Sequence, residues 1–359
     1  MANVLDLRRR IRSVKNTRQI TKAMKMVSAA KLRRAQERAM LARPYARMIS
    51  NVLESLVRRT GDSLEVMHPL LVEREEKNVL VIVVAGDKGF AGAFNSNIVK
   101  AAQGFINTRH AAGQNIDVEP VGRKARDTYR KRYPAAVYEK KEEHYDNDLA
   151  THFETIRHRA QPIEVTGDHP TILLKIGIDE VSDMARAIVE RYSRAEIDSV
   201  YVVYNEFKSV ISQRVVVEKL LPIRKLGSQE ITVAEEMTEE QIEAAGHAAK
   251  TAGISLQVRE ESVIESEAKK FGTADVDYIF DQSPDRLFRH LMPKYITTQI
   301  FHAMLESVAA EHAARMTAMD SATNNAGDMI DALSLTMNRV RQAAITKEII
   351  EIVSGAAAL

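Results

Sequence analysis

The chain has no cysteine in 359 residues. This absence excludes disulfide bonds, thiolate metal sites and thiol redox switching. The sequence also has no run of about 18 apolar residues, so it predicts no membrane-spanning helix. Its first residues, MANVLD, form no apolar signal core, and we therefore expect a protein that stays on the cytosolic side.

Proline is absent after residue 293, where apolar or small residues recur at a regular spacing. They alternate three and four residues apart at positions 316, 319, 323, 326, 330, 333, 337, 340 and 344. This alternation predicts the heptad seam of a helix packed along another helix. At about 1.5 Å per residue the helix is roughly 100 Å long. An ordinary bundle helix is the alternative, with residues 324–327 as its only break.

The N-terminal part of the chain predicts the partner of that helix. Apolar side chains recur at helical spacing at Ile11, Val14, Ile20, Met24, Val27, Ala30, Ala35, Ala39, Ala42, Ile49, Leu53 and Leu56. Pro44 is expected to kink this helix or to mark a joint. Because a globular segment separates the two long helices, an antiparallel pairing is expected.

The net charge of +2 hides an uneven distribution. Residues 1–43 carry thirteen Lys and Arg against two acids, and residues 226–272 carry ten acids against four bases. The basic helix has three explanations: a solvated face, a nucleic-acid-binding surface, or a rod inside an acidic or polar sleeve made by another protein. The aromatic residues typical of single-strand readers are absent from residues 1–43.

The middle of the chain predicts an α/β sheet. The β-branched run at 79–85 is typical of a strand buried on both faces, and 198–204 is a second strong strand. Weaker strands are expected at 116–121 and 171–176, and residues 210–221 are expected to pair beside 198–204. Helices are expected from Asn95, near 122–133 and near 179–193.

These elements give an α/β fold class: a long antiparallel two-helix coiled coil of the N- and C-terminal helices, plus a central Rossmann-like α/β domain. The expected division is 1–65 for the first helix, 78–222 for the central domain, 226–272 for an acidic insertion and 285–359 for the last helix. The insertion, with a capping sequence at 238–241, is interpreted as an exposed helical excursion outside the sheet.

Little in the sequence points to chemistry. Gly86, Gly89 and Gly92 follow a strand, where a phosphate loop could lie, but their spacing matches neither a dinucleotide fingerprint nor a P-loop. Tight packing between strand and helix is therefore favoured over nucleotide binding. The ten histidines show no metal-ligand spacing. We expect no cofactor, no metal and no catalytic residues.

Four blocks of sequence resemble one known family. They are ITKAMKMVSAAK at 20–31, RPY at 43–45, GDKGFAGAFN at 86–95 and RQAAITKEIIEIVSGAAAL at 341–359. In content, order and spacing these blocks resemble the gamma subunits of F-type ATP synthases across nearly the whole chain. The insertion at 226–272 departs from the pattern, because most bacterial members have a shorter connection there. It is not the photosynthetic redox insertion, which needs two cysteines.

The resemblance implies a non-catalytic rotor shaft, present as a single copy in the complex. The coiled coil would enter the ring of three alpha and three beta subunits, and the α/β domain would contact epsilon and the ring of c subunits. Rotation would couple proton flow to ATP synthesis, or ATP hydrolysis to proton pumping, at the cytoplasmic face of the bacterial membrane. No nucleic acid is implied as a partner.

The resemblance also implies residues for contact between rotor and stator. They are Lys22, Met24, Lys25, Arg315, Arg341, Gln342, Thr346, Glu348 and Glu351. Met24 and Lys25 would face an acidic loop of the beta subunit, whereas Thr346 and Glu351 could simply cap or solvate their helix. Two other classes stay open on the residues alone: a basic coiled-coil protein that binds nucleic acid, and a nucleotide-binding α/β enzyme that dimerises through its helices.

Overall fold

The computed structural model describes residues 4–60, 69–143, 152–223, 230–254 and 282–357. Its helices are α1 Val4–Thr60, α2 Phe94–Ala111, α3 Arg123–Arg132, α4 Ile178–Ser193, α5 Glu239–Ala252 and α6 Pro284–Ala357. Its strands are β1 Asn78–Val84, β2 Asn115–Val121, β3 Val137–Glu143, β4 His152–His158, β5 Ile163–Val165, β6 Ser199–Ser209, β7 Ser212–Leu221 and β8 Glu230–Glu236. Single 3₁₀ turns lie at Pro69–Leu71 and Ile172–Leu174.

Helices α1 and α6 form the long antiparallel coiled coil that the seam predicts. They have 57 and 74 residues, so they are about 85 and 110 Å long. On α6 the expected seam positions from Met316 to Val340 are buried or half-buried, whereas Ala344 is exposed. Pro44 lies inside α1 and does not end it.

The inward face of α1 differs from the expected one. Ile20 and Val27 were expected on the seam, but they are 60% and 57% exposed. The buried positions include Leu7, Ile11, Thr21, Lys25, Ser28, Leu32, Ala35 and Ala39, which keep the three-and-four alternation of a heptad. The apolar pattern predicts the wrong face because three residues of the seam, Thr21, Lys25 and Ser28, are polar.

The central sheet has six strands in the order β5-β2-β1-β6-β7-β8. The first four are parallel, and β7 and β8 run antiparallel to their neighbours. The strands expected at 79–85, 116–121, 198–204 and 210–221 are all present, as are the helices between them. All residues of β1 after Asn78 are fully buried, as a strand covered on both faces requires.

One expected strand is wrong. Residues 171–176 contain a 3₁₀ turn, and the sheet edge is the three-residue strand β5 instead. Thr171 has a φ of 69°, which turns the chain out of an extended course, and Ile172 and Leu173 pack beneath α4 without pairing. A short apolar run can form a turn whose side chains fill the core, or it can form a strand. Its composition does not distinguish the two.

The insertion is not the exposed excursion that its acids suggested. Strand β8 pairs with β7 as the sheet's last strand, and α5 begins with the expected capping box of Thr238 and Gln241. Its buried face is alanine alone, at 245, 248, 249 and 252, and it joins the core between the sheet and the coiled coil. The interpretation is therefore wrong for residues 230–254, and residues 255–272 lie outside the described part. The four-part division of the chain stays a prediction.

Helix α6 reaches both faces of the sheet. Its first part, from Phe288 to Met304, packs with α4 and the end of α1 on one face. Residues from Ala309 to Met316 pack on the other face, with α2 and α5. Between these parts α6 crosses the carboxyl end of β1, where Ser307 Oγ donates to the Val84 carbonyl oxygen at 3.3 Å. The coiled coil of α1 and α6, called the shaft from here on, is thus built into the sheet rather than attached to its surface.

Gly122 allows a close approach at this same end of the sheet. Its φ is +88°, and a Cβ there would lie 1.9 Å from the Ala85 carbonyl oxygen. Gly122→Ala should therefore destabilise the chain by several kcal/mol, about 3 or more, measured by denaturant unfolding. Gly104→Ala is the matched control, because it lies within α2 with no heavy atom within 4 Å of its Cβ. It should raise stability by about 0.5–1 kcal/mol. Equal effects at both glycines would contradict the packing described here.

Glu218 of β7 is a buried acid behind α6. It is 3% exposed and accepts a 2.9 Å hydrogen bond from Tyr204 Oη. Burial raises the pKa of Glu218 to about 7, the Tyr204 hydrogen bond lowers it, and the charge of Glu206 raises it further. Tyr295 and Glu306 of α6 are the titratable groups coupled to this pair from the helix side.

Because the folded pKa of Glu218 is higher than its unfolded value, its contribution to stability is complete below the unfolded pKa. It is lost as pH rises towards 7, by about 3 kcal/mol in all. Glu218→Gln keeps an acceptor for Tyr204 and removes the titration. The difference in unfolding free energy between variant and wild type should therefore grow by about that amount from pH 5 to pH 8. A difference that stays constant with pH would contradict the raised pKa.

Candidate functional site

The far end of the shaft is a single helix. Thr323 Oγ1 donates to Thr21 Oγ1 at 2.8 Å, Lys25 bonds to Asp320, and the Arg18 guanidinium lies next to Gly327. Because the helices are antiparallel, a residue one position nearer the start of α1 lies opposite a residue about one position nearer the end of α6. Val4 therefore lies near residue 341, and residues 342–357, here called the tip, extend beyond α1 by about 24 Å.

The tip exposes large aliphatic side chains. Ile345, Ile349, Ile350, Ile352 and Val353 are between 45% and 70% exposed. Isolated exposed aliphatics are ordinary on protein surfaces, but five within nine residues of one helix are typical of a surface that another protein covers. The sequence analysis did not predict these five residues as contact residues.

The predicted polar residues near the end of α6 lie on the tip or directly before it. Arg341, Gln342, Thr346, Glu348 and Glu351 are all exposed. Thr346 Oγ1 donates to the Gln342 carbonyl oxygen at 2.9 Å, and Glu351 lies 3.5 Å from the Lys347 ammonium. Both contacts are local to the helix and solvent-exposed, so they add little stability and leave these side chains accessible.

The three residues predicted on α1 lie in three different environments. Lys22 is exposed and Met24 is half-buried. The Lys25 side chain is only 10% exposed, and its Nζ donates at 2.6 Å both to Asp320 Oδ1 and to Thr251 Oγ1. The prediction that Lys25 points outward is wrong, because the heptad register places it on the seam opposite α6.

Asp320 is the centre of a polar cluster that joins three helices. Its Oδ1 accepts from Lys25 of α1, and its Oδ2 lies 2.8 Å from Nδ1 of His247 of α5. Burial raises the pKa of Asp320, but the hydrogen bonds from Lys25 and His247 outweigh burial and hold the pKa below its usual range. The carboxylate is therefore ionised at neutral pH and able to bond to both helices.

Arg315 also faces inward. Its side chain is 9% exposed, forms an ion pair with Glu311, and donates to the Gly89 carbonyl oxygen at 3.2 Å. Burial, followed by the charge of Arg315, lowers the pKa of His312 to about 4. The neutral imidazole Nδ1 lies 3.2 Å from Arg315 Nη1 and can accept its hydrogen bond. The Arg315 side chain thus ties α6 to the loop after β1 and lies inward in the chain alone. A stator contact at Arg315 stays a prediction.

That loop contains the predicted glycines, and its geometry is that of a packing contact. A Cβ on Gly86 would lie 2.8 Å from Glu311 Cδ, so a larger residue would have to displace the Glu311 carboxylate beneath α6. Asp87 Oδ1 accepts from the backbone N–H groups of Arg123 and Thr171 at 2.9 and 3.0 Å. The loop therefore binds its own neighbours, as the tight-packing interpretation expects.

A cavity of about 350 Å³ lies beside this loop, between α2, α5 and α6. Its lining contains a single charged side chain, Glu240. Within the described residues, no group of three or more His, Asp or Glu is placed to hold a metal ion. In the same part of the chain, no helix has the length and apolarity needed to cross a membrane.

The sequence was compared with known proteins. A family model described as ATP synthase matches residues 3–359. An ATP synthase gamma chain of Solibacter usitatus (strain Ellin6076) is 42% identical over 359 residues, with 100% of this chain and 99% of the relative covered. The chain belongs to the ATP synthase gamma-chain family. A gamma chain of Chloroherpeton thalassium, 39% identical, also aligns with 100% of this chain and 99% of its own length.

A solved structure supports the gamma-chain fold independently of close sequence identity. The central stalk and c-ring structure of the Tetrahymena thermophila mitochondrial ATP synthase contains a chain similar to this one with a TM-score of 0.51. The match covers 84% of this chain and 99% of that chain, at 21% identity. The resemblance inferred from the four sequence blocks is therefore confirmed, and so is the α/β fold with its two terminal helices.

If Arg315 stabilises the fold of the chain itself, its replacement should lower the stability of the purified chain in the absence of any partner. Arg315→Ala should destabilise the purified chain by about 3–5 kcal/mol, because it leaves Glu311 buried and unpaired. Arg315→Met with Glu311→Leu removes both charges and should cost much less. Arg339→Ala, on the exposed side of α6, is the control and should stay within about 0.5 kcal/mol. Denaturant unfolding of all three gives the comparison, and a stable Arg315→Ala chain would favour the stator contact as the role of this residue.

Proposed function

We propose that this chain is the central rotor shaft of an F-type ATP synthase. It couples proton flow through the membrane sector to ATP synthesis in the catalytic ring, and it works in reverse when ATP hydrolysis pumps protons. The observation that carries this proposal is a coiled coil longer than any single domain needs, fused to a sheet at one end and ending in an exposed apolar tip. Membership of the gamma-chain family supports the same role.

The shaft is proposed to act by differential contact. A catalytic site changes its affinity for nucleotide only if the rotor interacts differently with each state of that site. The paired part of the shaft is asymmetric, because one side is α1 with its basic residues and the other is α6. As the shaft turns, each surrounding subunit meets a different face. The chain itself contributes no catalytic residue in this proposal.

The partners follow from the two ends of the molecule. The tip and the adjoining coiled coil are proposed to contact the alpha and beta subunits, and the α/β domain to contact epsilon and the c-ring. The proposed contact residues are Lys22, Met24, Lys25, Arg315, Arg341, Gln342, Thr346, Glu348 and Glu351. Of these, Lys25 and Arg315 bond within the chain and are buried there. One copy per complex, peripheral to the cytoplasmic face of the bacterial membrane, fits this arrangement.

Neither alternative function gains support. A nucleotide-binding enzyme would use the glycine loop, but that loop is packed beneath α6. A nucleic-acid-binding coiled coil would explain the basic face of α1, but it would not explain the aliphatic tip. The rotor proposal accounts for both features, because the tip and the basic face lie on the same rod.

Rotation itself is testable with a single label. Because the chain has no cysteine, Lys175→Cys on the exposed surface of the α/β domain provides a unique attachment point. The labelled chain should assemble with the alpha and beta subunits, and ATP should drive a bead on this cysteine in one direction. Assembly without directed rotation would refute the proposed role.

A variant of the tip supplies the matched comparison. Ile349→Asp with Ile350→Asp changes two exposed residues, so the isolated chain should keep its stability within about 0.5 kcal/mol. Burying two carboxylates against the ring should weaken assembly about tenfold or more. Ala187→Asp, on the exposed side of α4 in the α/β domain, is the control, and it should assemble with the alpha and beta subunits like the wild type.

A further inference from the structure

The coiled coil is polar in the middle of its seam. Between residues 18 and 28, α1 presents Thr21 and Lys25 to Asp320 and Thr323 of α6. Apolar side chains at seam positions hold a coiled coil together, and polar ones lower its stability. Ion pairs that are buried gain little over their desolvation cost. The pairing of α1 with α6 is therefore weakest along this stretch of the shaft.

Helix α5 of the insertion packs against the shaft at one end of that stretch, next to Lys25 and Asp320. Its alanine face lies in the same core as Ala29 and Leu32 of α1 and Ala309 to Met316 of α6. Alanine side chains let helix backbones approach closely, so α1, α5 and α6 pack together here. Helix α5 belongs to the insertion that was predicted to be an exposed acidic excursion, but its inner face packs against the shaft.

Polar contacts attach α5 to both shaft helices. His247 bonds to Asp320 of α6 at 2.8 Å, and Thr251 accepts from Lys25 of α1 at 2.6 Å. At the end of α5, Arg33 Nη2 of α1 donates to the Gly253 carbonyl oxygen at 2.9 Å. A cation at a helix C-terminus satisfies its carbonyl groups and complements its dipole.

The other end of this segment is fixed in the sheet. Strand β8 pairs with β7 from Ile231 to Glu236, and two residues later Thr238 begins the cap of α5. The segment therefore runs from the sheet edge to the weakest part of the seam by a short connection. It gives the α/β domain a second attachment to the shaft, in addition to the junction at Glu311 and Arg315.

We propose that α5 is a brace that closes the shaft into a local three-helix bundle, with Arg33, His247 and Thr251 as its positioning residues. The brace stiffens the shaft where its seam is polar. Its mechanical consequence rests on the proposed rotor function: torque entering through the sheet reaches the coiled coil by two routes, which limits twisting between them. If α5 were only docked on a shaft that is already rigid, releasing it would change nothing in the seam.

Hydrogen exchange of the full-length chain separates these two cases. Ala248→Asp places a charge in the buried alanine face and should release α5. If α5 is a brace, amide exchange should rise about tenfold in residues 18–28 of α1 and 316–327 of α6, and stay within about twofold in 334–340. Glu243→Ala, on the exposed side of α5, is the control and should leave every rate within about twofold.

A milder variant covers the case in which Ala248→Asp does not fold. His247→Ala with Thr251→Val removes the contacts of α5 with Asp320 and Lys25, and it leaves the pair of Lys25 and Asp320 and the bond from Arg33 to the Gly253 carbonyl in place. The same two shaft segments should exchange about threefold faster. Release of α5, seen as fast exchange in 239–252, with unchanged exchange in 18–28 would overturn the brace.

The mechanical consequence is measured separately in the assembled enzyme. Relative to Glu243→Ala, a variant that loosens the seam should pump about half as many protons per ATP hydrolysed, because a more compliant shaft transmits less of each step. An unchanged ratio overturns this consequence. The exchange experiment uses the chain without partners, so the brace is tested even if the rotor proposal fails.

Discussion

The passage of α6 over the carboxyl end of β1 is the contact on which the rest of the molecule depends. Three contacts fix it: Ser307 to the Val84 carbonyl, Glu311 over Gly86, and Arg315 to the loop carbonyl of Gly89. Strand β1 has β2 on one side and β6 on the other, so the crossover connections leave this point in opposite directions. In open α/β sheets such a point usually forms a crevice that binds a ligand. Here α6 fills that crevice. This Rossmann-like sheet with a glycine loop therefore holds a long helix where other sheets of its kind bind a ligand.

Filling the crevice with a helix imposes demands on composition. The helix must bury a polar stretch, because the strand end presents carbonyl and N–H groups that need partners. Glu311 and Arg315 form a pair within α6, and burial raises the pKa of Glu311 despite the charge of Arg315. A pair of this kind adds little net stability, but replacing either member alone is costly. It therefore specifies one position of the helix on the sheet better than an apolar contact would.

Much of the fold could be predicted from the sequence, because its signals are local and apolar. The run at 79–85 predicts a strand buried on both faces, and the seam from Met316 to Val340 predicts a long paired helix. The candidate site was harder to predict, because buried polar residues look like surface residues in a sequence. Lys25 and Arg315 are cations in helices and were assigned to the outside, and the alanines of α5 are too small to give a strong apolar signal. A strict heptad register carried along α1 from Leu7 would have placed Lys25 inward, but no rule of spacing reveals that Arg315 lies beneath a loop.

The same register leaves the other cations between residues 8 and 38 of α1 on the outside, and this arrangement suits a rotating surface. Ion pairs between exposed side chains contribute about 0–1 kcal/mol each. Coulomb attraction between solvated charges falls gradually with distance and is screened over about 8–10 Å. A hydrogen-bonded pair, in contrast, loses its strength within less than 1 Å of movement. Solvated cations therefore give a rotating surface an attraction that changes smoothly with angle, whereas the short bonds of Lys25 to Asp320 and Thr251 are directed inward and join α1 to α5 and α6.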